Sequence, residues 1–397
     1  MAVSASSDPR PTPRQLAWHK LQYYAFIHFG PNTFSGQEWG SGREDPKSFN
    51  PKEFDARQWA RSFKEAGMKG IVITAKHHDG FCLWPSKYST HTVAQSPWKG
   101  GKGDILREVS QACKEYGLKL GVYLSPWDRN HPAYGTPEYN KIFAKQLEEV
   151  LTQYGPVFEV WFDGANGEGP NGKRQVYDWP LFHSVVRKHQ PNAVMFSDSG
   201  PDIRWVGNES GVGSETNWNT IDRSRYEPGT PLHHELGQGT EGAPDWVPAE
   251  VNVSIRPGWF WRASENDRVK SVDHLEKIWY ESVGRGSNLL LNVPPDSRGL
   301  IHENDVAALK ALRQRVDATF GRAVATVRGT EGAFPGQRTF NVIELGEDIR
   351  EGQRVAKFRV EAKAGRSGDW TVIAEGTTIG KNRLLRVAGW SSDRADQ

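Results

Sequence analysis

Cysteine is scarce in this chain, two in 397 residues, and so is net charge, with 50 basic side chains against 48 acidic ones. Cys82 and Cys113 cannot build a disulfide framework and lie in no C-x-x-C pair, so both read as ordinary buried thiols. No stretch concentrates Lys and Arg, so the electrostatic footprint of a nucleic-acid binder is missing and nucleic acid is not an expected partner. Long hydrophobic runs are missing too. None approaches the ~20 residues that cross a bilayer, and no membrane span is expected. The start, MAVSASSDPRPTPRQLAW, has no apolar core of the kind a signal peptide needs, which keeps a cytoplasmic location open. His-x-His and His-x-x-x-His pairs are also absent. Adjacent strand residues point to opposite faces, so His77 and His78 are not expected to share an ion, and neither metal nor another cofactor is expected.

Tryptophan and glycine are abundant instead, 16 and 41 residues, in loops after strand-like runs as well as in candidate core positions. An indole offers a flat apolar surface to the C–H face of a sugar while neighbouring polar groups take its hydroxyls. Apolar strand-like runs alternate with amphipathic helical stretches. Tyr23 to Gly30 precedes a helix near Asp55 to Ala66, and GIVITAKHHDG precedes one near Asp104 to Tyr116. KLGVYLSPW precedes a helix near Glu138 to Tyr154, and VFEVWFDG one near Trp179 to His189. Further strands are read at Ala193 to Asp198, Ala249 to Ile255 and Asn288 to Pro294, with helices near Val272 to Val283 and Asp305 to Val316. Repeated βα units with buried strands predict an α/β fold, a (β/α)8-like TIM barrel over residues 1–320. Seven strands are visible and the eighth is not. Ile203 to Val247 reads as one long irregular stretch, the kind of loop that is usually functional. Beyond Thr319, FNVIELGEDI, QRVAKFRVEAK and WTVIAEGTTIG alternate apolar and polar residues. They predict a small C-terminal antiparallel β domain over 321–397, a sheet or a partial, truncated sandwich.

Chemistry-bearing residues fall at the strand ends, where α/β barrels keep their active sites. His28 closes the first strand, His77 and His78 the second, Tyr123 and Trp127 the third, Trp161 and Asp163 the fourth. Asp163 reads either as a carboxylate delivered into a site or as a cap on the following glycine-rich turn. Hydrolysis of a glycosidic bond needs a second carboxyl, and Glu209, Glu215 and Glu250 compete for that role.

The blocks HFGPNTFSGQEWG, FNPKEFDARQWA, ITAKHHDGFCLWPS, GVYLSPWDRN, EVWFDGANGEG, IRWVGNESG, WVPAEVNVSIRPGWFW and NLLLNVPPDSRG resemble, in order over residues 14 to 320, the α-L-fucosidases of glycoside hydrolase family twenty-nine. Within the family the chain is similar to the branch that prefers α-1,3- or α-1,4-linked fucose. The resemblance implies a retaining exo-fucosidase with a covalent fucosyl-enzyme on Asp163 and with Glu209 as acid/base. It implies a pocket of His28, Glu38, His77, His78, Tyr123 and Trp161, with Trp39 beside Glu38. Fucosylated oligosaccharides or glycoconjugates are the implied partners, and a secreted or periplasmic location is implied as well. Glu215 is expected to hold the loop or an acceptor sugar, and Glu250 to bind a sugar hydroxyl or brace Arg256. Trp259 and Trp261 are candidates for the wall against the sugar's methyl group or for an acceptor subsite. An inverting glycosidase and a non-catalytic carbohydrate-binding barrel are the alternatives.

Overall fold

The structure is a computed structural model that describes residues 8–391 except 232, 337 and 366; the first seven residues of the start read above for a leader lie outside it. Eight parallel strands close into a barrel: β1 (Tyr23–Ile27), β2 (Gly70–Lys76), β3 (Lys119–Leu124), β4 (Val157–Trp161), β5 (Val194–Ser197), β6 (Ile203–Trp205), β7 (Ala249–Ser254) and β8 (Asn288–Asn292). Each pairs with the next in sequence, and β8 with β1. Side chains alternate across the strands. Ile71, Ile73, Val122 and Val160 face outward onto Trp59, Phe63, Val109 and Phe143 of the surrounding helices. Tyr24, Phe26, Val72, Tyr123, Trp161, Phe196 and Leu290 fill the barrel interior, with Trp18 of the N-terminal helix Pro13–Leu21 among them.

Local signals explain where the helices begin. Asp55 accepts from the backbone N–H groups of Arg57 and Gln58 ahead of Ala56–Glu65, and Asp104 from that of Arg107 ahead of Ile105–Tyr116. Gly117 ends the latter helix at φ +68°, a left-handed conformation that favours glycine.

The strand missing from the sequence reading is β6. It is three residues long, and only residues 198–202 separate it from β5, with Phe196 opposite Ile203 and Ser197 opposite Arg204. Parallel neighbours ordinarily need a crossover of a dozen or more residues. Here Asp202 holds the short return: its Oδ2 accepts from Met195 N at 2.7 Å, its carboxylate takes both bonds of Arg187 Nη2 at 2.6 and 2.7 Å, and its carbonyl takes Gln15 Nε2 at 2.8 Å.

Between β6 and β7 the chain makes the long excursion expected as irregular. It contains a short helix, His233–Gln238, and a two-residue strand pair, Thr220–Ile221 with Asp245–Trp246. The fully buried Arg204 of β6 anchors it, donating to the carbonyls of Leu236, Val247 and Trp218.

After the helix Glu303–Phe320 come two two-stranded antiparallel sheets, Thr339–Leu345 with Arg383–Ser391 and Phe358–Ala362 with Thr371–Gly376. They dock on the excursion. Gln353 Oε1 accepts from Asn219 N, Thr378 Oγ1 from Asn217 N, and Arg383 Nη1 donates to Glu215 O. Among the described residues no helix is long and apolar enough to cross a membrane.

Candidate active site

Asp163 lies two residues beyond the end of β4 and uses its two oxygens differently. Oδ1 accepts from Ala165 N at 2.9 Å and so caps the turn, whereas Oδ2 accepts from Tyr123 Oη at 2.9 Å. His78 Nε2 stands 3.6 Å from that second oxygen. The two sequence readings of this carboxylate, cap and site group, therefore each describe one oxygen.

Hydrogen bonding assigns the histidine tautomers. Ser125 gives its hydroxyl proton to Trp127 O at 2.7 Å, so His78 Nδ1 at 2.6 Å is the donor to Ser125 Oγ. Asn292 spends its amide hydrogens on Ser254 Oγ and Trp259 O, so its Oδ1 accepts from His28 Nδ1 at 2.8 Å. Burial keeps both rings neutral, lowering His78 and taking His28 down to about 4. Each Nε2 then carries a lone pair, an acceptor for a hydroxyl. His77 is buried too, held well below the usual range by burial first and then by its histidine neighbours, with an unpartnered Nδ1.

The rings of His77 and His78 are 4.3 Å apart at the same site, which corrects the expectation that they face opposite ways. β2 ends at Lys76, so strand alternation no longer governs them. Among the described residues no group of three or more His, Cys, Asp or Glu is arranged to hold a metal ion.

Glu38 and Glu209 meet at Trp259. The Glu38 carboxylate takes Trp259 N at 3.1 and 3.0 Å and Arg262 Nη2 at 2.9 Å, while Glu209 Oε2 takes Trp259 Nε1 at 3.3 Å. Burial raises Glu209 above the usual carboxyl range, the Trp259 bond opposes that, and the charges of Asp163 and Glu38 add to it. Trp259 also lies 5.2 Å from the His28 ring. Trp127 packs 4.8 Å from His78 and is held by Nε1–H to Glu168 O; Trp39, 58 % exposed, stands edge-on to both at the rim.

Other sequence candidates lie elsewhere. Glu250 is fully buried inside the barrel, accepting from Trp161 Nε1 at 2.9 Å and from Tyr24 Oη, so it presents no oxygen to the cleft and does not brace Arg256. Arg256 is also fully buried, and its partner is Asp305, at 2.8 Å from Nη2 and 3.0 Å from Nε. Trp261 donates to Asn266 Oδ1, the same oxygen that Arg256 Nη1 reaches, and stands with that cluster. Glu215 lies at the C-terminal sheets, beside Arg383.

Three residues of the site escaped the sequence reading. Asn292 ends β8, so the strand-end rule that found His28 would have found it. Phe260, 5.4 Å from the His28 ring and 5.1 Å from that of His77, had no signal separating it from its tryptophan neighbours. Asp198 follows β5, accepts from Gly229 N, and is raised to about 6 by burial, with the Asp163 charge adding. A cavity of about 620 Å³ adjoins the site at Gly164, lined by Trp179, His183 and Tyr226 among others.

The arrangement pairs a carboxylate furnished with donors and a carboxyl biased towards its protonated form, across a pocket of hydroxyl acceptors and aromatic faces. Two carboxyls treated so differently suit glycoside hydrolysis. A family model described as alpha-L-fucosidase matches residues 10–317. The chain is 41% identical to alpha-L-fucosidase 1 of Arabidopsis thaliana, over 95% of this chain and 82% of that protein. A crystal structure of a putative alpha-L-fucosidase from Bacteroides ovatus superposes with a TM-score of 0.87 at 50% identity, over 96% of this chain and 70% of that one. A Ruminococcus gnavus GH29 fucosidase in complex with fucose superposes with a TM-score of 0.87 at 31% identity, over 98% and 91%.

Proposed function

The chain belongs to the alpha-L-fucosidase family of glycoside hydrolases, and from that premise we propose that it is a retaining exo-enzyme releasing terminal α-1,3- or α-1,4-linked L-fucose, with Asp163 as nucleophile and Glu209 as acid/base. One observation carries the reading: Asp163 Oδ2 is aimed by the Tyr123 hydroxyl, while burial holds Glu209 towards its protonated form.

In the first step Asp163 Oδ2 bonds to the anomeric carbon as the bond to the leaving oxygen breaks, and Glu209 gives that oxygen its proton. In the second step the Glu209 carboxylate takes a proton from water, which attacks the same carbon and breaks the ester to Asp163. Neutral His28 and His78 accept from sugar hydroxyls through Nε2, and Trp259 supplies an apolar face. The cavity at Gly164 gives the rest of a branched glycan room.

Asp163→Ala is expected to lower kcat by about a thousandfold or more while unfolding as cooperatively as the wild type. Glu209→Ala is expected to lose about 100- to 10,000-fold on a natural trisaccharide, far less on an activated aryl fucoside, and to be rescued by azide in the second step. Parallel assays with α-1,3/4- and α-1,2-linked trisaccharides test the linkage. Near-wild-type turnover in Asp163→Ala, or leaving-group dependence at Glu215 or Glu250 and not at Glu209, would overturn the assignment.

A further inference from the structure

Beneath the sugar site, inside the barrel, two glutamates meet from strands β4 and β7, with β5 and β6 between them. Glu159 of β4 and Glu250 of β7 are both fully buried, and among the described residues no Lys, Arg or His lies within ion-pair distance of either. Two unpaired carboxylates cannot both persist there, because burial and mutual repulsion each disfavour the second charge.

The donors show where the single negative charge resides. Glu250 receives one on each oxygen, Trp161 Nε1 on Oε1 and Tyr24 Oη on Oε2. Glu159 has a longer 3.3 Å approach from Trp18 Nε1, which also donates to Tyr24 Oη at 2.7 Å, and it meets the Glu250 carboxyl itself within hydrogen-bonding reach, while its Oε1 receives no donor. Burial first, and then the charge of Glu250, hold Glu159 well above the usual carboxyl range, in accord with that placement.

Glu250 touches the chemistry through two aromatic rings. The Trp161 indole it anchors lies flat on Phe196, 3.9 Å away at 9°, and against Tyr123, 5.3 Å away at 24°. Tyr123 is stacked on its other face by His77, 5.6 Å away at 12°, and its hydroxyl donates to Asp163 Oδ2. A ring clamped on both faces transmits a tilt of its neighbour to its own hydroxyl.

We propose that Glu159 and Glu250 share one proton and act as a positioning pair, with Glu250 as the carboxylate that fixes Trp161 and, through Tyr123, aims the nucleophile. This rests on the reading of Asp163 as nucleophile, so the experiment separates the two. The full-length protein and its variants are treated with a 2-deoxy-2-fluoro-fucosyl fluoride, which forms the ester faster than it is hydrolysed, and the labelled peptide and trapping rate are measured.

Glu250→Met removes the acceptor and should slow trapping about tenfold or more with little change in the concentration dependence, because misaim costs the step and not binding. Glu250→Gln keeps one acceptor for Trp161 and should recover most of the rate. Glu159→Gln preserves the neutral form and should lose far less than Glu250→Met. If Glu250→Met does not fold, Trp161→Phe, which keeps the stacking ring and removes the N–H, should slow trapping in its place. Label on a residue other than Asp163 would overturn the nucleophile and the pair together. Label on Asp163 at an undiminished rate in Glu250→Met or Trp161→Phe, or equal losses at 159 and 250, would overturn the pair alone.

Discussion

Neutral imidazoles are useful partners for a sugar because they offer a lone pair without a counter-charge. His28 and His78 spend Nδ1–H on Asn292 and Ser125, which leaves both Nε2 atoms as acceptors towards the cleft. Trp259 supplies donors on the other side, its backbone N–H to Glu38 and its indole N–H to Glu209. The second bond has a consequence for pH. It favours ionised Glu209 and so opposes the upward push of burial. In the proposed acid role Glu209 would work protonated, and the rate would fall as pH rises through its pKa. Trp259→Phe removes the indole donor, so the alkaline limb of kcat/KM should move to higher pH. A limb that stays in place or moves down would separate Glu209 from the acid role.

At the scale of elements, the Arg256–Asp305 pair ties the segment after β7 to the helix Glu303–Phe320 with no solvent access to either side chain. Breaking one side of a buried pair leaves an uncompensated charge, typically about 3–5 kcal/mol of lost stability. Asp305→Ala should therefore lower the unfolding free energy by that measure, and Arg256→Met with Asp305→Leu should recover much of it; denaturant unfolding checks both. This pair also marks a limit of sequence reading, since the partner of Arg256 lies 49 residues away in a helix with nothing local to announce it. Strand-end logic found His28, Tyr123 and Asp163 because hydrophobic runs end where the barrel mouth begins. Strand parity, by contrast, tells which face a side chain takes and not how deep it sits. Glu250 on β7 faces inward at the buried level of Asn288, and Ser254, on the same face, lies near the mouth, bonded to Asn292. The barrel was legible from seven periodic strands, while three residues of β6 are too few to show a period.

Across the whole molecule, the C-terminal sheets and β6 grip the same excursion, the one that carries Glu209. Gln353, Thr378 and Arg383 hold residues 215–219 from one side, and Arg204 holds Trp218, Leu236 and Val247 from the other. A single guanidinium spent on three distant carbonyls is expected to make those segments open together. In native-state hydrogen exchange, the amides of Ile203–Trp205, 217–220 and 236–247 should therefore share one opening free energy. Arg204→Met strands each buried carbonyl at about 1–3 kcal/mol, so exchange there should quicken about tenfold or more while β1 to β4 keep their protection. Independent exchange of the three segments in the wild type would show that Arg204 does not couple them. On that expectation the shortest strand of the barrel sets the cooperativity of its longest loop.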